Sequence, residues 1–174
     1  MAKLRKGCSY RRLERPYTRR SKYKAKSFIR TSPASKVVRY DMGDAKRSFG
    51  YTVELVSKEG VQIRHNALES ARMTSNRHLE EKCGKLGFYM KLKSYPHHVL
   101  RENPLASGAG ADRMSTGMQK SFGKAIGIAA QVRPGQAVFS VQVDKQNVEF
   151  AKQALKKANY KLPLRALIVA KPNQ

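Results

Sequence analysis

Acidic residues are scarce in this chain: 12 Asp and Glu stand against 36 Lys and Arg in 174 residues, a formal net charge of +24. Such an excess opposes compaction unless a polyanion neutralises it, so nucleic acid is the expected partner and an anionic membrane surface the rival. Long apolar runs are missing too. No stretch of about 18 apolar residues occurs, so nothing reads as a bilayer-spanning helix. The basic N-terminus lacks the apolar segment of a secretory signal, although a mitochondrial-type presequence would share its arginine-rich, acid-poor composition. The only cysteines, Cys8 and Cys83, form no CxxC pair and no disulfide framework, in keeping with a reducing compartment.

The motifs of metal, nucleotide and hydrolytic chemistry are also lacking. His65, His78, His97, His98 and the two cysteines do not fall at ligand-pair spacing on one element. Gly108-Ala109-Gly110-Ala111-Asp112-Arg113 puts arginine where the dinucleotide fingerprint needs glycine or alanine. Gly123-Lys124 is followed by Ala125, not by the Ser or Thr of a triphosphate loop. Asp44, Glu69, Glu80, Glu81 and Glu149 read as caps or solvated helix charges. No catalytic residues, metal ligands or cofactor are expected.

What is present is basic charge, unevenly placed. Residues 1–30 hold 12 Lys/Arg and a single acid, Glu14. Neither a helical nor a strand period is visible there, and tyrosines are interleaved. Residues 1–35 therefore read as an extended arm that orders on a partner. Its candidate contacts are Arg5, Lys6, Arg11, Arg12, Arg15, Tyr17, Arg19, Arg20, Lys22, Tyr23, Lys24, Lys26 and Arg30.

Folded sequence follows over 36–174. Phe49, Tyr51, Val53 and Leu55 alternate as a half-buried strand. Lys58-Glu59-Gly60 is a turn into a short strand, Val61–Arg64. Asn66 and Glu69 resemble a capping box opening a helix to about Lys82, which Gly84 ends. Phe88, Met90 and Leu92 alternate with Tyr89, Lys91 and Lys93, giving a strand with one apolar and one basic, aromatic face. After a glycine-rich loop at about 101–125, Ile126 to Val132 is a strand. Arg133-Pro134-Gly135-Gln136 is a type II turn, and Ala137 to Val143 is its hairpin partner. Asp144 caps a second helix over about 145–158, and Leu164–Val169 is the last strand.

The order is ββαβ, long loop, ββαβ. It implies an α+β, two-layer sandwich: a mixed, largely antiparallel sheet with two helices on one face, plus the basic arm. Lys91 and Lys93 on the open face, with His97, His98 and Arg101 close by in sequence, join the arm as candidate nucleic-acid contacts. RNA is favoured over DNA, since both helices are committed to packing and no recognition helix is evident.

At the loop the sequence becomes familiar. "GAGADRMSTGMQKSFGKAIG" (108–127) and "YPHHVLR" (95–101) closely resemble the large-ribosomal-subunit protein family called L-ten-e, related to the bacterial L-sixteen proteins. "ALESAR" (67–72), "CGKLGF" (83–88) and "PYTRRSKY" (16–23) are similar to it as well. Ending at Gln174, the chain resembles the archaeal-length form. The resemblance implies a cytoplasmic, non-enzymatic ribosome component, with large-subunit rRNA, tRNA acceptor ends and neighbouring ribosomal proteins as partners. It implies neither a membrane partner nor an obligate homo-oligomer. It further implies a role in subunit maturation and a loop near the peptidyl-transferase centre. The tRNA-proximal residues it implies are Gly108, Gly110, Asp112, Arg113, Thr116, Gly117, Met118, Lys120, Phe122, Gly123 and Lys124. A free nucleic-acid chaperone or chromatin-type protein is the alternative class.

Overall fold

The computed structural model describes residues 5–17, 23, 29, 33–103, 117–119 and 121–173. The elements are β1 (Asp41–Gly43), β2 (Tyr51–Ser57), β3 (Val61–Arg64), α1 (His65–Cys83), β4 (Phe88–Leu92), β5 (His98–Glu102), β6 (Lys124–Val132), β7 (Ala137–Val143), α2 (Val148–Asn159) and β8 (Ala166–Pro172). The α+β, two-layer expectation holds, but the strands divide between two sheets. One is ordered β1-β4-β7-β2-β8 and the other β3-β6-β5, and the registered pairs are antiparallel.

Both expected turns form, yet neither closes a hairpin. β6 pairs with β3 and β5, whereas β7 pairs with β4 and β2. The Arg133–Gln136 turn therefore hands the chain from the small sheet to the large one. Its geometry is as expected: Gly135 has φ +79° and Gln136 N donates to Arg133 O at 3.2 Å. The turn after β2 makes the same switch, and the two turns are bonded together, Gly135 N to Ser57 O and Ser57 N to Gln136 O. Alternation fixes which face of a strand is buried; it does not choose the partner strand.

Both helices cover one core. Phe88, Met90, Val53, Leu55, Phe139 and Val141 of the large sheet and Val61, Ile63, Ala130 and Val132 of the small one join Leu68, Ala71, Leu79, Ala151 and Leu155 in one buried cluster. Each such large side chain contributes about 1.5–3 kcal/mol by leaving water. Ala151, Ala154 and Ala158 of α2 allow close approach to the sheet and to α1.

The helix starts differ from expectation. α1 follows β3 directly, with Arg64 at the cap position, extended, and no side-chain cap. Asn66 Oδ1 accepts only from the neighbouring Ala67 N, and Glu69 is engaged by Arg72. A strand that runs straight into a helix leaves no loop for a capping box. Asp144 likewise makes no cap bond: a 3-10 turn, Lys145–Asn147, precedes α2, and the Asp144 carboxylate accepts from Arg47 at 2.7 Å. β1 and β5 are additional strands. β5 takes in Arg101 and Glu102, so the chain leaves the sheet at 103 and re-enters it at Lys124.

Candidate nucleic-acid interface

The small sheet has two open edges, and the arm covers both. Arg11 O accepts from Gln62 N at the β3 edge, and Tyr17 O accepts from Val99 N at the β5 edge. Between them Glu14 O accepts from Gln131 Nε2 on the central strand. Going from one side of a three-stranded sheet to the other takes four strand spacings, about 19 Å, and six extended residues span about 20 Å. The segment 11–17 is thus the length of a strap. Expected to order on a partner, this part of the arm instead lies along the domain, because free sheet edges supply backbone partners. Gln62, buried and in register with Gln131, accepts from Gln131 Nε2 and donates to Tyr10 O. Further along, Ile29 is buried with Val99 and Ile128, and Tyr17 packs against them.

At the β5 end, the arm, the strand and the loop meet. The Arg101 guanidinium lies 4.4 Å from the Tyr17 ring centroid and 4.5 Å from that of Phe122. The two rings are edge-to-face at 5.9 Å. One cation is therefore held between an arm aromatic and a loop aromatic, each contact worth about 0.5–1 kcal/mol at an exposed site. Glu102 pairs with Lys124 across the neck of the loop. A Cβ on Gly123 would stand 2.9 Å from the Glu102 backbone, so this candidate glycine has a packing reason: the neck closes only around a residue without a side chain. Gly117 has φ +59°, and Met118 and Phe122 are exposed.

His98 ties the strap down. It is buried, and its Nδ1 accepts from Tyr17 N at 2.8 Å, which requires that nitrogen unprotonated. Burial first, with His97 and Arg101 adding repulsion against the opposing pull of Glu14, holds its pKa below the ordinary imidazole value. His65 is shifted down in the same way by burial and by Lys36 and Arg64, and its Nδ1 accepts from Lys36 N. His97 is exposed, with Nδ1 3.0 Å from Tyr95 O.

The remaining candidates separate by their partners. Arg5 pairs with Glu102 and Arg11 with Glu59, so these two cations fasten the arm. Arg165 N donates to Glu59 and, with Arg11, lowers its pKa. Lys6, Arg12 and Arg15 are exposed and have no ion-pair partner among the described residues. On the open face of the large sheet, Lys93 Nζ donates to Glu54 at 2.5 Å, Lys171 lies 4.0 Å from the same carboxylate, and Lys91 lies 3.7 Å from Asp41. Tyr89 OH donates to Asp41 at 2.6 Å. Tyr23 is exposed. Arg19, Arg20, Lys22, Lys24, Lys26, Arg30, Gly108, Gly110, Asp112, Arg113, Thr116 and Lys120 lie outside the described residues.

The sequence pattern of the family described as ribosomal protein L16p/L10e matches residues 14–169, from the strap to the last strand. The chain belongs to the ribosomal protein L16p/L10e family. It is similar to the large ribosomal subunit protein uL16 of Methanococcus aeolicus, 48% identical over 167 residues, covering 95% of this chain and 93% of the relative. It also resembles uL16 of Staphylothermus marinus, 48% identical over 157 residues (90% and 87%), and of Archaeoglobus fulgidus, 45% over 160 residues (92% and 88%). L16p/L10e proteins are structural and not enzymes. No described helix is long and apolar enough to cross a membrane, and no group of three His, Cys, Asp or Glu among the described residues is placed to hold a metal ion.

Sequence reasoning missed Tyr10, Gln62, Arg64, Glu102 and Gln131. Two glutamines at strand positions were a usable signal, since a buried amide needs partners from outside its own strand.

Proposed function

We propose that this chain is a structural component of the large ribosomal subunit in the cytoplasm, held on large-subunit rRNA by its arm and strapped small sheet. Residues 1–35 act as the RNA-binding arm and 36–174 as one domain with an inserted functional loop. Lys91 and Lys93, already beside carboxylates, contribute less than Lys6, Arg12 and Arg15. Neighbouring ribosomal proteins complete the surroundings. The loop, in which Arg113, Lys120 and Lys124 offer phosphate contacts, extends toward tRNA acceptor ends, and the protein thereby supports subunit maturation and tRNA placement.

The observation that carries this reading is the Tyr17–Arg101–Phe122 cluster. It makes the base of the loop and the anchor of the arm one unit, so seating the arm on RNA also sets where the loop leaves the domain. Guanidinium and ring faces are also the groups that stack on unpaired bases.

Replacing residues 104–122 with a short glycine-serine connector tests it. Circular dichroism and the melting midpoint should be retained, because the core lies outside the loop. Subunits carrying the variant should sediment with the protein bound in a high-salt gradient but accommodate tRNA poorly. Normal tRNA accommodation would remove the loop's role, and loss of the protein into the soluble or DNA fraction would favour a free nucleic-acid chaperone.

A further inference from the structure

A second basic feature lies where the arm begins. The turn Lys6–Tyr10, closed by Ser9 N to Lys6 O at 3.0 Å, roofs an open groove of about 270 Å³ between the β3–α1 junction and the segment after α2. Arg5, Lys6, Arg64 and Lys161 line it together with Asn66 and Tyr160, and no acid among the described residues does. That volume falls just below the roughly 300–1,000 Å³ of ligand clefts, so the open groove can seat part of a single nucleotide and not a length of chain.

Three independent features show the groove to be built. Arg64 Nε is buried and has no hydrogen-bond partner among the described residues, although an unmet buried donor is costly. The Arg64 guanidinium lies 5.7 Å from the Tyr10 ring centroid, and Tyr10 itself has φ +62°, a conformation that costs a residue with a side chain. Gln62 Nε2 holds that residue by donating to Tyr10 O at 2.9 Å. Finally, Tyr160 stands 71% exposed at the end of α2, an aromatic face with nothing stacked on it among the described residues.

We infer that this groove receives a single unpaired nucleotide of RNA, its base on Tyr160 and its phosphates on Arg64, Lys161 and Lys6. The inference rests on the RNA-binding reading above and names what this additional site takes. An exposed ring beside cations fits a base with its phosphate better than it fits an acidic peptide, which offers carboxylates but no face to stack.

The test uses the full chain bound to protein-free large-subunit rRNA. Ultraviolet cross-linking followed by mass spectrometry of RNA–peptide adducts should place one mononucleotide adduct on the peptide containing Tyr160. Tyr160→Ala should weaken rRNA binding about 5- to 150-fold, the range of a lost base–aromatic stack, and Tyr160→Phe should restore it. Lys161→Gln should lower the salt dependence by about one phosphate. The side chain of Tyr160 is exposed, so an unchanged melting midpoint is the control for folding. Wild-type affinity in Tyr160→Ala, with no adduct there, would overturn the nucleotide site while leaving the arm reading intact. Failure of the wild-type chain to bind rRNA would overturn both. Binding of polyglutamate that the same substitutions abolish, with rRNA affinity unchanged, would assign the groove to an acidic protein segment instead.

Discussion

The open face of the large sheet and the strapped small sheet are both basic in sequence, but their lysines and arginines are differently occupied. Lys91, Lys93 and Lys171 stand beside Asp41 and Glu54, three cations against two carboxylates. On the arm, Arg5 and Arg11 take Glu102 and Glu59, and Lys6, Arg12 and Arg15 keep their charge free of ion pairs among the described residues. The aromatics differ as well. Tyr89 on the large sheet donates its hydroxyl to Asp41, whereas Tyr17 and Phe122 give their rings to Arg101. A run of lysines therefore does not locate a polyanion surface. What locates it is where the few acids are, and in a chain with 12 of them their positions decide which basic surface remains open.

The largest effect should come from charge removal on the arm. Lys6, Arg12 and Arg15 changed together to Gln keep the backbone bonds that cover the sheet edges. If each cation meets a phosphate, the log–log salt slope of rRNA binding falls by roughly 2–3. Lys91, Lys93 and Lys171 changed to Gln remove the same formal charge and should lower the slope by less than about 1. Equal effects in a filter-binding titration would break the comparison.

Arg101→Ala comes next. It removes two ring contacts of about 0.5–1 kcal/mol each, so rRNA affinity should fall by up to roughly 30-fold, with the melting midpoint nearly unchanged because Arg101 lies outside the core. Arg101→Lys should recover part of the loss, since an ammonium keeps charge but not a stacking plane. Full affinity in Arg101→Ala would detach the arm from the loop neck.

The smallest effect is a pH dependence at His98. Its pKa in the folded chain lies below the ordinary imidazole value, chiefly through burial. The strap's bond to Nδ1 is therefore fully present above about pH 6.5 and is lost as the pH falls through the lowered value. The protection factor of the Tyr17 amide, read by NMR as exchange relative to the intrinsic rate at each pH, should fall in that acidic window, and His98→Asn should shift or abolish the step. A Tyr17 protection factor that does not fall as the pH is lowered from about 6.5 to the edge of folding would remove His98 from this role.

Much of the architecture was legible where one physical rule acts alone. Phe88, Met90 and Leu92 alternate with exposed or half-exposed residues, and Ala151, Leu155 and Ala158 follow the helical period; all six are buried. Arg133–Gln136 carries proline and glycine at the positions a type II turn demands. The misses share another cause. A turn signal says where the chain reverses, not which strand receives it, so β6 and β7 read as a hairpin although they lie in different sheets. β5 was hidden because its last residues, Arg101 and Glu102, look like loop until Ala125 and Lys124 pair with them. At the interface, Tyr17 and Arg101 were named by their chemistry and Phe122 through the family resemblance. Their meeting depends on the strap, and no local pattern states that residue 17 reaches the edge of β5.

Lysine reactivity distinguishes an RNA seated on the arm and loop neck from one seated on the large sheet. The full chain is acetylated at low reagent excess, free and bound to protein-free large-subunit rRNA, and each lysine is quantified by mass spectrometry. Lys6 on the arm and Lys124 at the loop neck should be protected several-fold in the complex, while Lys91, Lys93 and Lys171 should react at the same rate in both states. Protection of the three large-sheet lysines, with Lys6 and Lys124 unaffected, would contradict the account and put the RNA on the other face.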